Sequence, residues 1–337
     1  MNAILLDARI TKRMSVGMIA YVSELTERLP RVAPDLTFDV WARGGNFGLD
    51  EQWNLPRYVA ETRVALVHHL SVYAPLIGSH PTVVTIHDLI HLRYPQYFKR
   101  SVGVYYATVV RALCARAARV IVDDPRTVED LRRFLGVAPS KVRVVPLGVD
   151  DAFFSAPVEL PRPVRPYFMY AGNRREHKDL ATLLAAWEAL PAELNVDLVL
   201  TGADEGALHG RGRTHGELRF AGDVATAELA NLYRAATAYV HPSLCEGFGL
   251  PLLEATAVGT NAIACVDAIP AILAGVVDAF PPRDIAALTQ RLRAALERPA
   301  DPERRERLRA LAAAYSWDRC ASATAEVYRE VVSESLR

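Results

Sequence analysis

The chain has 337 residues, of which 51% are hydrophobic and 23% charged, and its 39 Lys and Arg balance 39 Asp and Glu. That length exceeds what one hydrophobic core usually organises, and the composition excludes intrinsic disorder and low-complexity repeats. Residues 1–155 carry 19 Lys and Arg against 15 Asp and Glu, an excess that the rest of the chain reverses; this is too slight for a nucleic-acid-binding face, though it suits a first lobe turned toward an anionic acceptor or a lipid headgroup.

In chain order, short Val, Ile and Leu runs alternate with segments of helical period. AILLDA at 3–8 precedes a helix over 17–29, TVVTIHD at 82–88 precedes one over 101–118, and RVIVDD at 119–124 precedes one over 126–136. Uninterrupted apolar strands between amphipathic helices imply a parallel sheet covered on both faces, the doubly wound α/β architecture. FFSAPVELPRPVRP at 153–166 then holds four prolines, where neither element can continue.

The rhythm restarts at YFMYAG (167–172), with a helix over 178–190, then VDLVLTG, LRFAGDV, AYVHPS and NAIACV, and a helical tail over 301–335. The expectation is two Rossmann-like lobes, 1–155 with a returning C-terminal helix at 316–337, and 156–315, facing a central cleft at the carboxyl ends of their strands. No G-x-G-x-x-G follows a strand and no G-x-x-x-x-G-K-[ST] occurs, so the common dinucleotide and P-loop readings have no support. Cys114, Cys245, Cys265 and Cys320 form no CxxC pair and no metal-ligand spacing, as befits thiols in a reducing compartment. No apolar stretch reaches the roughly 18 residues of a spanning helix. The expected location is cytoplasmic, with peripheral association at the inner face of a membrane left open.

The most informative stretch is SLCEGFGLPLLEATAVGT at 243–260. Pro251 fits the first turn of a helix, and the preceding GFG allows tight turns with exposed amides. Backbone N–H groups of Gly247, Phe248, Gly249 and Leu250, aided by the helix dipole, would favour a phosphate. Glu246 before the helix and Glu254 a turn inside it could each accept paired hydroxyl hydrogen bonds, one from a sugar and one from a ribose, which suggests a nucleotide sugar. Turn capping by Glu246 and a dipole partnership for Glu254 are the competing structural readings.

HPSLCEGFGLPLLEATAVGT resembles the signature of the retaining glycosyltransferases of family 4 (glycosyl transferases group 1), which have the GT-B fold. VVTIHDLIHLRYPQYF, VIVDDPRTVEDLRRFLGV, KVRVVPLGVDDAFF, YAGNRREHKDLATLLAAW, LRFAGDVATAELANLYRAATAYVHPSL and YSWDRCASATAEVY resemble further blocks of that family. The resemblance implies that Glu246 contacts donor-sugar hydroxyls and Glu254 the ribose. It places the pyrophosphate against the glycine loop and a basic pair, Lys178 and Arg174, with Arg175 and His177 close by; an arginine can grip two oxygens where lysine acts as a point charge. Gly172 and Val224 complete the second-lobe donor contacts. In the first lobe, His87 and Asp88 follow a strand and fall on the acceptor side, His87 also near the sugar; His68 and His69, read as following another strand, are weaker candidates. Gly17 looks like the loop that approaches the donor phosphates.

There are departures from the family pattern. Met18 and Ala20 replace a glycine and an arginine common around Gly17, Asp124 replaces a serine but remains a good N-cap before Pro125, Asn261 replaces a proline, and Ala271 a glutamate. The resemblance implies transfer of a hexose from a nucleoside diphosphate sugar to a saccharide, lipid-linked or small-molecule acceptor, with retention and without a metal or other cofactor. The HDL and HKD blocks look most like members using GDP-mannose. A non-enzymatic nucleotide-sugar-binding subunit and another GT-B chemistry, such as sugar-nucleotide epimerisation, are the alternatives; oligomeric state is not legible.

Overall fold

The computed structural model describes residues 3–10, 14–62, 64–78, 80–155, 163–204, 216–297 and 301–335. The chain forms two compact units, Met1–Gly148 together with Trp317–Arg337, and Val149–Ser316.

The first unit contains β1 (Ala3–Asp7), α1 (Val16–Val32), β2 (Thr37–Trp41), α2 (Leu55–Glu61), β3 (Leu66–His69), β4 (Thr82–Thr85), α3 (Ile90–Arg93), α4 (Arg100–Tyr105), α5 (Arg111–Arg116), β5 (Arg119–Val122), α6 (Pro125–Asp130) and β6 (Val142–Val144). Its six described strands run parallel in the order β2-β1-β3-β4-β5-β6. Strands β3 and β4 are buried along their whole length, which is why their sequences read as apolar runs without alternation. Helix α1 starts where the Ser15 side chain accepts from the Met18 N–H, and it buries Tyr21, Val22, Leu25 and Leu29 on one stripe. The helix expected over 101–118 is a continuous helical run from Arg100 to Arg116, in which a π turn at Tyr106–Val110 joins α4 to α5.

The second unit contains β7 (Tyr167–Tyr170), α7 (Leu180–Glu188), β8 (Asp197–Leu200), β9 (Leu218–Phe220), α8 (Thr226–Ala235), β10 (Ala238–His241), α9 (Leu250–Ala257), β11 (Ala262–Cys265), β12 (Asp278–Phe280), α10 (Ile285–Glu297) and α11 (Pro302–Ala313). Its sheet is also parallel, in the order β12-β11-β10-β7-β8-β9. The core packs Phe168, Trp187, Leu198, Val240 and Leu288 between the sheet and α7 and α10. Helix α7 begins at Leu180, two residues later than expected, because Asp179 takes a left-handed conformation (φ 48°) after a 3₁₀ turn at Glu176–Lys178.

The last helix, α12 (Trp317–Ser335), belongs to the first unit. It lies against α1, where Asp318 accepts from Arg28 Nη1 at 2.8 Å and Arg31 Nη2 at 2.6 Å. The single helical tail expected over 301–335 is broken at Ala314–Ser316, where Ser316 bridges Val149. The unit boundary falls seven residues before the expected 155/156. Phe153 is buried against Tyr233 of α8, and Arg234 donates to the carbonyls of Phe153 (2.9 Å) and Ser155 (2.7 Å), so this turn is part of the second unit. Of the proline-rich stretch, residues 156–162 lie outside the described residues. Both sheets and the returning helix match the doubly wound, two-domain GT-B architecture that the sequence implies.

Candidate functional site

In the second sheet the chain winds outward from β7 through β8 and β9, then returns to β10 on the other side of β7. The carboxyl ends of β7 and β10 therefore flank a topological switch point, where diverging loops leave a crevice for ligands. Lys178 follows β7 and Glu246 follows β10, and the Leu244 N–H donates to the His177 carbonyl at 2.9 Å, tying the two loops together.

The structure brings Lys178 and Glu246 into one cluster. Lys178 Nζ donates to Glu246 Oε1 at 2.5 Å, and the same oxygen lies 2.8 Å from His241 Nε2. Behind the histidine, Tyr239 Oη is 2.7 Å from His241 Nδ1 and 3.3 Å from the Ala171 carbonyl oxygen. Tyr239 and His241 project from the same face of β10, two residues apart, as the pleat requires. Burial pushes the Glu246 carboxyl up, but the Lys178 charge, the His241 ring and their hydrogen bonds outweigh it and hold the group well below the usual carboxylate range. Both contacts converge on Oε1, leaving Oε2 to accept from a ligand hydroxyl.

Gly249 is the left-handed residue (φ 76°) before α9, and Pro251 lies in the first turn. A Cβ at Gly249 would approach Leu252 Cδ1 at an ordinary 3.6 Å, so the backbone conformation and not the space selects glycine. Phe248 is buried, while Glu246, Gly247 and Leu250 remain partly accessible. One turn into α9, Glu254 Oε2 accepts from Tyr233 Oη at 3.0 Å. Burial dominates there: with little opposing charge, the Glu254 carboxyl is pushed up to about 7, the Tyr233 hydrogen bond lowering it and the Asp150 charge raising it further. The two glutamates of one motif thus sit in opposite electrostatic states.

Arg174 is placed differently from Lys178. Its Nη1 donates to the Ala203 carbonyl at 2.7 Å, Nη2 reaches the Thr201 carbonyl at 3.4 Å, and the guanidinium lies 5.1 Å over the Phe220 ring. It is anchored beyond β8 and makes no ion pair with the Glu246 cluster. Gly172 follows β7 at φ 145°, donating to Thr201 Oγ1 at 3.2 Å. Val224 is half-buried between β9 and α8, Arg175 precedes the 3₁₀ turn, and His177 is buried inside it.

In the first unit, His87 and Asp88 stand just beyond β4, at its carboxyl end. His87 Nδ1 lies 2.7 Å from Asp123 Oδ2, and the Tyr21 ring meets the imidazole edge-on with centroids 4.8 Å apart. The Asp88 carboxylate accepts from the Ile90 N–H at 3.0 Å. Gly17 lies in the first turn of α1. His68 and His69 are the last two residues of β3 and do not follow it; both are buried. His68 bridges Tyr328 Oη (2.5 Å) and Thr85 Oγ1 (2.9 Å), and burial pushes its pKa down to about 3. His69 Nδ1 is 2.8 Å from Asp7 Oδ2, whose carboxylate also takes a two-pronged contact from Arg9; Arg9 in turn reaches Glu51 at 2.9 Å.

The sequence reading missed Tyr233, Tyr239 and His241 beside the two glutamates of the second unit, and Tyr21 and Asp123 beside His87 of the first. Only Tyr239 and His241 left a local signal, their same-face spacing on a strand just before Glu246. Among the described residues no group of three or more His, Cys, Asp or Glu side chains could hold a metal ion, and no helix is long and apolar enough to cross a membrane.

Residues 20–153 match Glycosyltransferase Family 4, and residues 165–298 match Glycosyl transferases group 1. The chain is 32% identical over 176 residues to O-antigen chain mannosyltransferase B of Escherichia coli, covering 48% of this chain and 45% of that one. It is 28% identical over 295 residues to a glycogen synthase of Mycobacterium tuberculosis, covering 83% of this chain and 70% of that one. The chain thus spans less than half the length of the first relative. Sucrose-phosphate synthase from Thermosynechococcus elongatus superposes with a TM-score of 0.76 at 22% identity, covering 99% of this chain and all of that one, a likeness of fold. The two family matches together span most of the chain, the first ending just inside the second unit, and the chain belongs to the family 4, group 1 glycosyltransferases of the GT-B fold.

Proposed function

We propose that the protein transfers a hexose, mannose from GDP-mannose, to a hydroxyl of a saccharide, lipid-linked or small-molecule acceptor, with retention at the anomeric carbon and without a metal or other cofactor. The observation that carries this reading is the Lys178–Glu246–His241 cluster at the β7/β10 switch point, beside the Gly247–Leu250 turn. The O-antigen chain mannosyltransferase among the relatives favours mannose.

In this reading Glu246 Oε2 accepts from sugar hydroxyls while its pairing with Lys178 keeps it ionised. Lys178 has two further N–H donors, and these neutralise the leaving diphosphate together with the amides around Gly249. Arg174 joins them by exchanging a carbonyl partner for a phosphate oxygen. Glu254 accepts the ribose hydroxyls. The acceptor hydroxyl attacks from the face the diphosphate leaves, and a phosphate oxygen takes its proton. The reaction takes place on the cytoplasmic side, next to a membrane when the acceptor is lipid-linked.

A panel of GDP-, UDP- and dTDP-sugars in thermal-shift assays tests the donor. GDP-mannose is expected to raise the melting temperature by mass action, and Glu246→Gln to reduce the shift. Stabilisation by another sugar nucleotide alone would overturn the mannose assignment; stabilisation by none would overturn the transferase reading.

A further inference from the structure

The pairing of His87 with Asp123 follows from strand register. Thr85 of β4 is paired with Ile121 of β5, and the Ile86 N–H donates to the Ile121 carbonyl at 2.9 Å. Two residues further along each parallel strand, His87 and Asp123 come side by side on the same face. Asp123 is 1% exposed, and its Oδ1 and the other ring nitrogen, His87 Nε2, are both buried without a hydrogen-bond partner among the described residues. Buried polar groups are ordinarily paired, so two orphans on one contact need an explanation.

The ring is also held from a second side. Tyr21, which packs edge-on against it, shares its hydroxyl with Thr85 Oγ1 at 2.8 Å; Thr85 in turn meets His68, and His68 meets Tyr328 of α12. The other titratable groups around the pair are Asp88 and Asp124 from the adjoining turns and Cys320 from α12. Asp124 is committed to capping α6 and to Arg126.

Proton counting then fixes what Nε2 offers. With two protons on the pair, either the imidazole carries both and donates to the Asp123 carboxylate, or Asp123 keeps one and donates to Nδ1. In both arrangements the remaining proton is on Nε2. Burial pushes the imidazole toward its neutral form, but the charge and hydrogen bond of Asp123, with the charge of Asp88, outweigh it; burial likewise raises Asp123, against the opposing His87 charge. Both directions keep the second proton on the pair to higher pH.

Resting on the glycosyltransferase reading above, we propose that Asp123 is a positioning residue that holds His87 with Nε2 protonated, as a hydrogen-bond donor to an oxygen of the sugar substrate. That oxygen belongs either to the donor hexose or to the acceptor saccharide. The protonated pair is the competent form, so activity is present below its pKa and lost as pH rises through it.

Histidine side-chain NMR of ¹⁵N-labelled protein, with His87 assigned by His87→Gln, reads the proton directly. The wild-type ring is expected to keep its Nε2 proton above the ordinary imidazole value of about 6.5. In Asp123→Asn, which removes the charge that holds the second proton on the ring, the imidazole should titrate at or below the ordinary value. In turnover assays the alkaline fall of kcat/KM should move at least about one pH unit lower in Asp123→Asn, roughly a fivefold loss against wild type at the wild-type pKa, with recovery in acid. A raised KM for the donor assigns the oxygen to the hexose, and a raised KM for the acceptor assigns it to the saccharide. A wild-type His87 that titrates at or below 6.5 would overturn the proposal even if the variant does not fold; so would an Asp123→Asn enzyme with an unchanged pH profile. Lack of turnover with every donor would instead sink the transferase reading, and the titration would still decide the pairing.

Discussion

Glu246 and Glu254, eight positions apart, meet opposite electrostatics, and the contrast can be measured. Glu246 is held ionised by Lys178 and His241, so its folded pKa lies below its unfolded one. Its stabilising contribution is present above the ordinary value of 4.5 and is lost as pH falls from there toward the folded value. Because the pair also faces the proposed donor, Glu246→Gln is expected to lower kcat by about 10²-fold, the usual effect of removing one preorganised polar group; steady-state kinetics at neutral pH checks this. Glu254 has the opposite sign. Its folded pKa of about 7 lies above the ordinary 4.5, so the folded state binds more protons between those values and stability falls as pH rises from 4.5 to 7, then levels off. Relative to Glu254→Gln, the wild type should lose up to about 3 kcal/mol across that window, read from urea denaturation at pH 5, 6, 7 and 8; a constant difference would contradict it. The two glutamates were legible because both lie in one short motif beside glycines and a proline. Asp123 was not, since its partner is 36 residues away and their meeting depends on how β4 registers against β5.

Elements were legible in proportion to their burial. Strands β4, β5, β7, β8, β10 and β11 each hold an apolar run at the centre of a sheet, and each was found, with its end set a few residues too late. Strands β2, β6, β9 and β12 lie outermost in their sheets; of these only β9 was read, although it is as short as β6 and β12. The tail was read as a helical stripe seeking a partner, and α12 finds one: Trp317, Val327, Tyr328, Val331 and Val332 are buried, and Tyr328 also closes the polar chain through His68. Ion pairs at the far end, from Arg119 and Arg143 to Glu330, are partly exposed and screened by solvent. Tyr328→Phe, which keeps the ring but leaves His68 Nδ1 unpaired in the core, should therefore cost about 1–3 kcal/mol. Glu330→Gln should cost less than about 1 kcal/mol. Denaturant melts of the two variants test the ranking, and a larger loss at Glu330 would reverse the account of what docks α12.

At the scale of the whole molecule the two units differ in how the chain builds them. The second is one continuous segment, Val149–Ser316, whose ends lie side by side: the Val149 N–H donates to the Tyr315 carbonyl at 3.0 Å, and Val149 bridges Ser316. The first is discontinuous, because α12 is supplied from the far end of the sequence. A chain that stops at Ser316 therefore keeps every element of the second unit, including Lys178, His241, Glu246 and Glu254, but strips α12 from the first. Five large side chains at about 1.5–3 kcal/mol each amount to as much as an ordinary domain's entire stability of about 5–15 kcal/mol. The truncated protein is expected to lose the cooperative transition of the first unit and with it all turnover, since His87 and Asp123 reside there. It should retain a transition that the sugar nucleotide still shifts upward, because a ligand that binds only the folded second unit stabilises that unit by mass action. Calorimetry with and without the nucleotide separates the two. Loss of both transitions would mean that the second unit cannot stand without the first, and survival of both would mean that α12 contributes little to the sheet it covers.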